Sequence, residues 1–366
     1  MTRPASLATL LLTAVVVCAV PATAPAAAQI DRLETFRALA GALGAAPGEA
    51  AVAALYTLVD EEILDNLQSG GVFASPEFVG ERLEAFNAAW GGARFRVLRL
   101  GRDDGPRALT VGLYGLSGMD GPGSVRIFTG VGPDATLART ITHEGAPEAY
   151  PWPDTRARAP QLALSWFGAP DGVGRRPLRL EIWRLRAAGL AREWSTAEAY
   201  PDGLRAVAYH VGAGEILLRY ELRYPGWKPG CDGQTEQEEL LRHVAATDGI
   251  ATVRRQTYNA WHRDLARAVA RFFAAVESGD RRALAELVPD PALRARLPQA
   301  LVPEPACDAA NAESPGTVVV AATEERAVGA PAPRSPWSLW WSRDPRGWRL
   351  AGAAPVTPPP LPSAAA

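Results

Sequence analysis

Few residues in this chain are placed to do chemistry. In THEGAPEAYPWPD, His143-Glu144 sets an imidazole beside a carboxylate at the end of a strand-like run, ahead of an expected loop with Tyr150 and Trp152. Such a pair suits general acid–base work, and a solvated loop is the plainer alternative. Gly145-Ala146-Pro147 follow, so there is no HExxH metal motif. The second stretch is YPGWKPGCDGQTEQEELLRH (224–243), which holds the only lysine, Lys228, and one of three cysteines, Cys231. Tyr224, Trp227 and Lys228 follow a strand in a rigid Pro/Gly loop, the kind that carries binding groups on a fixed scaffold. The alternative is a tryptophan lidding a sheet edge with Lys228 in solvent.

The acids of that stretch read as structural. Thr235 and Glu238 match a T-x-x-E capping box for a helix over 235–245. Glu236, Glu238 and Glu239 then fall in its first turn and Arg242 and His243 in its last, as the helix dipole favours. A structural zinc wants four N or S ligands, and only Cys231 and His243 are on offer, so no metal is expected. No cofactor is expected either. GLSGM (115–119) fails the G-x-S-x-G elbow at Met119, no glycine–lysine pair permits a P-loop, and neither G-x-G-x-x-G after a strand nor C-x-x-C occurs. These absences argue against nucleotide enzymes, elbow-type serine hydrolases and thiol oxidoreductases. Glycosidases, whose carboxylates lie far apart in sequence, remain open. His210 and His262 stand alone and read as satisfied structural residues. Eleven tryptophans could stack on sugars, although Trp183, Trp194, Trp340 and Trp341 lie in strand patterns that favour core packing.

The elements that must position these residues are readable by period. Residues 29–92 form a helical N-terminal region: Val52, Leu55, Val59, Ile63 and Leu67 keep one face, and Ser75-Pro76-Glu77 opens a helix with the stripe Val79, Leu83, Phe86 and Trp90. From Arg94 the period becomes two. Runs such as RFRVLRL, SVRIFTG, QLALSWF, RPLRLEIWRL and EILLRYELRY, broken by Gly, Pro and Asp, predict an antiparallel β domain over 93–246, a sheet or sandwich. LRAVAYHV and EILLRYELRY pair as a hairpin through VGAGE. The region has room for about three propeller blades, too few for a propeller.

At the N-terminus Arg3, the apolar run 7–20 and two A-x-A sites predict a secretory signal over 1–28, so the mature chain is expected to be exported, periplasmic or extracellular. No later run reaches 18 apolar residues, and no membrane span is expected in the mature chain. The net charge of −2 gives no basic field for nucleic acid. Cys231 and Cys307 survive signal removal, and an even count in an oxidising compartment predicts a disulfide. The tail 355–366, PVTPPPLPSAAA, has nothing to bury and is expected to be disordered.

The segment RDLARAVARFFAAVESGDRRALAELV (263–288) resembles the opening of NTF2-like cone domains. Val269, Phe273, Val276, Gly279, Asp280, Leu284 and Leu287 fit an amphipathic helix that ends at Gly-Asp before a second helix, and Trp-rich closing strands fit a sheet packed on it. The resemblance covers 256–354 at most, counts about three strands where cones usually have more, and has a Pro-rich break. It implies an α+β C-terminal domain but no chemistry, since the family holds enzymes and non-enzymes alike.

The chain therefore reads as an α+β multidomain protein. Its function is most simply that of an exported, non-enzymatic binding or interaction protein of the cell envelope, with a glycan or another envelope protein as partner. The competing reading is an envelope hydrolase with a site in the C-terminal cone or near His143. A cone filled by Phe272, Phe273 and tryptophans leaves no room for such a site.

Overall fold

The computed structural model describes residues 31–43, 48–100, 109–116, 121–152, 161–212, 214–244, 249–308, 315–325 and 335–356. The expected signal (1–28) and the expected tail from 357 lie outside the described residues. The fold is mixed α+β, and every strand pairing in it is antiparallel.

Three helices open the described chain: α1 (Arg32–Ala42), α2 (Glu49–Ser69) and α3 (Pro76–Ala89). Asp31 caps α1 by accepting from the N–H groups of Leu33 and Glu34, and Ser75 caps α3 by accepting from that of Phe78. These bonds satisfy amides that a helix start leaves free. The expected stripe of α2 is buried from Leu55 to Leu67, together with Val79, Leu83 and Phe86 of α3. It packs on Phe95, Tyr114 and Phe128 of the first sheet.

That sheet runs β1 (Arg94–Leu100), β2 (Leu109–Gly115), β3 (Pro122–Thr129) and β4 (Thr136–Glu144) in sequence order. Its other face carries Val111, Leu113, Val125, Ile127 and Ile141, which meet Leu162, Leu164, Trp166 and Trp183 of a second sheet. The second sheet has eight strands: β5 (Ala146–Trp152), β6 (Gln161–Phe167), β7 (Arg176–Arg186), β8 (Gly189–Ser195), β9 (Arg205–Gly212), β10 (Glu215–Glu221), β11 (Glu236–Val244) and β12 (Gly249–Tyr258). They are ordered β12-β11-β10-β9-β7-β6-β5, with β8 on the later half of β7. A short helix, α4 (Thr196–Ala199), follows β8. Central strands such as β2 and β6 are buried along almost their whole length: β2 lies between the helices and the second sheet, and β6 between the first sheet and the curl of its own sheet. A single residue, Gly145 at φ +102°, carries the chain from β4 to β5 between the two sheets. A Cβ there would lie 2.8 Å from the Phe167 carbonyl carbon, so glycine is required both for conformation and for space.

The second sheet curls. Its far strand β12 comes back against β8, and the concave face gathers Leu180, Ile182, Ile216, Leu218, Tyr220 and Leu241. β12 then passes through Asn259, in the left-handed conformation, into α5 (Ala260–Ser278). Asp280 caps α6 (Arg281–Leu287) as the sequence implies, and α7 (Pro291–Arg296) follows. These helices pack on a third sheet, β13 (Leu301–Pro303), β14 (Thr317–Glu324), β15 (Ser335–Asp344) and β16 (Gly347–Pro355), in that order. β16 thus continues to Pro355, the residue where the disordered tail was expected to start.

Several expectations are corrected. The helix expected over 235–245 is absent from the described part, 235–244: 236–244 are β11, held between β10 and β12. Strand pairing on both sides outweighs the helix propensity of a Glu/Gln/Leu-rich run. Tyr150 and Trp152 lie in β5 rather than in a loop after His143. The covalent expectation holds: Cys231 and Cys307 are disulfide-bonded, with Cα atoms 5.4 Å apart, within the range such a bond demands.

Candidate functional site

A cavity of about 400 Å³ opens at the mouth of the curled sheet. Its walls come from β8, α4, β10, β11 and β12: Trp194, Tyr200, Tyr220, Gln237, Glu239 and Arg255 are the residues that matter chemically. The period of two places them. In β11, Gln237, Glu239 and Leu241 share the concave face; the β10 partner of Gln237 is Tyr220, and the β12 partner of Glu239 is Arg255. The Tyr200 and Tyr220 rings meet edge to face at 5.1 Å. Two other hollows each have ion-paired side chains in their lining. In one, Arg32 and Asp65 lie 2.7 Å apart and Arg82 and Glu62 2.8 Å; in the other, Arg96 and Glu148 lie 3.0 Å apart.

Glu239 is buried, 2 % exposed, and both of its oxygens are occupied. Oε1 accepts from the Tyr220 hydroxyl at 2.9 Å, from Arg255 Nε at 3.0 Å and from the Gln237 amide. Oε2 accepts from the Tyr200 hydroxyl at 2.9 Å and from Thr252 Oγ1 at 3.0 Å. Burial pushes this carboxyl up, but the hydroxyl donors and the Arg255 charge outweigh burial and hold it below its ordinary value. Both tyrosines are pushed up, first by burial and then by the Glu239 charge. At neutral pH the floor therefore holds one ionised carboxylate that receives two tyrosine protons. It neither donates nor accepts a proton in this state.

Neither the role of Glu239 nor that of Arg255 is legible in the sequence. Glu239 looks like a first-turn helix acid, and Arg255 belongs to a strand without apolar alternation. Trp194, expected in the core, is half-buried on the pocket wall, and Trp340 is partly exposed, whereas Trp183 and Trp341 are buried.

His143 ends β4, as its sequence suggests. Its partner is not its neighbour Glu144 but Glu181 of β7, with Nε2 3.3 Å from the Glu181 carboxylate. The imidazole also meets the Trp166 ring edge to face at 4.6 Å. Glu181 is fully buried and accepts from Arg179 Nε and Nη2 at 3.0 and 2.8 Å and from Trp183 Nε1 at 2.9 Å. Burial opposes its ionisation, yet His143, Arg179 and Trp183 bring it down to about 2. So saturated a carboxylate orients His143 and is a poor base itself.

Tyr224, Trp227 and Lys228 lie where the second sheet meets α5, and the structure brings two of them onto one polar chain. The Tyr224 hydroxyl lies 2.6 Å from His262 Nδ1, His262 Nε2 lies 3.3 Å from Asp308, and Lys228 Nζ lies 2.8 Å from the same carboxylate. Lys228 is therefore not in solvent. Burial opposes ionisation of Asp308, and the His262 and Lys228 contacts hold its carboxyl below the usual range. Trp227 lies under the Arg223 guanidinium at 5.4 Å. Thr235 serves a helix after all, though not its own: Oγ1 accepts from the Arg263 N–H in the first turn of α5 and donates to the Asn259 carbonyl. Beside Cys231–Cys307 these bonds form a joint.

The space between α5 and the third sheet is filled by Trp261, Leu265, Phe272, Phe273, Trp341 and Trp348. Among the described residues no group of three or more His, Cys, Asp and Glu side chains is placed to hold a metal, and no helix is long and apolar enough to cross a membrane. No protein-family model and no curated protein matches this chain.

Proposed function

We propose that this is an exported, non-enzymatic binding protein of the cell envelope, and that its ligand sits in the pocket walled by Trp194, Tyr200, Tyr220 and Glu239. One observation carries the reading: the pocket floor is a single ionised carboxylate with all its acceptor positions filled. Two-carboxylate glycoside chemistry needs a second acid in reach, and among the described residues Glu239 is the only acid lining this pocket. Among the described residues no histidine, serine or cysteine lines it either. Aromatic walls around a few fixed polar groups are what small-ligand recognition uses. The disulfide supports export, since such bonds persist in oxidising compartments, and agrees with the signal read at 1–28. The helices α5 to α7 on a four-stranded antiparallel sheet support reading the C-terminal part as a domain of NTF2-like type, with a packed rather than an open interior.

The hydrolase reading rests on one observation, the His143–Glu181 contact. Purified protein screened against saccharides by tryptophan fluorescence, in parallel with chromogenic esters and glycosides, separates the two. Binding that disappears in Trp194→Ala and persists in His143→Ala supports the pocket. Turnover abolished by His143→Ala overturns it.

A further inference from the structure

We infer that the pocket takes an acidic sugar residue, with the Arg255 guanidinium holding its carboxylate. This rests on the reading of the pocket as a ligand site and names the ligand's class. Glu239 cannot be the group that meets a ligand, because five donors already occupy its two oxygens. Its effect is on what surrounds it. Arg255 is 60 % exposed, yet its Nε is tied to Glu239 at 3.0 Å. Among the described residues its two terminal amino groups have no protein partner, so a guanidinium fork is held in place at the pocket rim. A fixed fork is the geometry that binds a carboxylate through two parallel hydrogen bonds, and fixing it in advance removes part of the ordering cost of binding.

The interior offers the opposite polarity. The Tyr200 and Thr252 hydroxyl protons are committed to Glu239, which leaves their oxygens as acceptors. The Gln237 amide nitrogen donates to the Tyr220 hydroxyl and to Glu239, leaving its carbonyl oxygen to accept. Acceptors inside, donors at the rim and the side chains of Trp194 and Tyr200 in the walls fit a ring whose hydroxyls point inward and whose acid group points out. The volume of about 400 Å³ lies within the range of small-molecule sites.

The test is calorimetric titration of the full mature chain with two matched pairs of probes, the methyl glycosides of glucuronic acid and glucose, and of galacturonic acid and galactose. Within each pair only the carboxylate differs. The expected result is at least tenfold tighter binding of the acid in at least one pair, with the preference weakened in Arg255→Lys, which keeps the charge but not the fork, and abolished in Arg255→Met. Thermal melts confirm that both variants fold. Equal affinity within both pairs overturns the acidic-sugar inference and leaves the pocket reading standing. Inorganic phosphate binding as tightly as the acids also overturns it, since the site would then take any anion. Binding of no probe by the folded protein overturns the inference and counts against the pocket reading as well.

Discussion

Replacing Glu181 with glutamine tests how much of the fold leans on one buried charge. The carboxylate is fully buried under His143, Arg179, Arg192 and the Trp183 indole. Its carboxyl titrates near 2 instead of the ordinary 4.5. A carboxyl lowered on folding contributes stability that is fully present above 4.5 and lost as pH falls through about 2. The gap corresponds to about 3 kcal/mol at neutral pH. Glutamine removes the charge and also turns an N–H toward groups that are all donors, so the loss at pH 7 should be about 3 kcal/mol or slightly more. The assay is urea unfolding of wild type and Glu181→Gln at several pH values between 7 and 2.5, followed by tryptophan fluorescence. Other lowered carboxyls, Asp308 and Glu239 among them, titrate in both proteins and cancel in the difference. The difference should shrink steadily below pH 4.5. A stability gap that stays constant across that range refutes the reasoning, because the loss would then come from packing and not from the charge.

Three further outcomes follow from the joint between the second sheet and α5. Replacing both Cys231 and Cys307 with serine should cost about 4 kcal/mol for a loop of 76 residues, read as a lower denaturant midpoint with a steeper slope, since the unfolded chain loses its cross-link; a cost under about 1 kcal/mol contradicts it. Thr235→Val, which removes the bonds to Arg263 and Asn259, should cost about 1–2 kcal/mol and speed amide exchange in the first turn of α5. Gly226 has φ +90° and would place a Cβ 2.9 Å from the Ala266 Cβ. Gly226→Ala should therefore cost about 2 kcal/mol, and adding Ala266→Gly should recover only the contact part; full recovery would show that the backbone carries no strain.

The legible parts of the fold were those where one residue's neighbours along the chain decide its environment. The Ser75 cap, the α2 stripe and the β10 alternation, with Ile216, Leu218 and Tyr220 buried, all follow from local period. β11 was not legible because its buried face is polar. Of the five donors that make Glu239 acceptable there, only Gln237 lies in a window around 239; the hydroxyls of residues 200, 220 and 252 and the guanidinium of 255 do not. The bulge in this pairing lies in β12, where Leu240 faces Arg254 and Leu241 faces Thr252 and Val253 is left over, so it breaks the period of two in the partner strand. β12 is an edge strand with most residues exposed, so it has no apolar alternation to detect. Lys228 and His262 looked independent because their common partner, Asp308, is 80 residues from the first and 46 from the second.

The Cys231–Cys307 bond encloses β11, β12, α5 to α7 and β13 in one covalent ring. A pull applied to the two ends of the chain passes through the sulfurs and bypasses that ring. About 260 Å of extended chain stays hidden behind two Cα atoms 5.4 Å apart. Glu239 and Arg255 both lie inside it, so tension that strips β10 away still leaves them in a closed hairpin. Single-molecule stretching should release the hidden length only after a reductant is added, and a thiol in the surroundings thereby sets how far the protein yields to force.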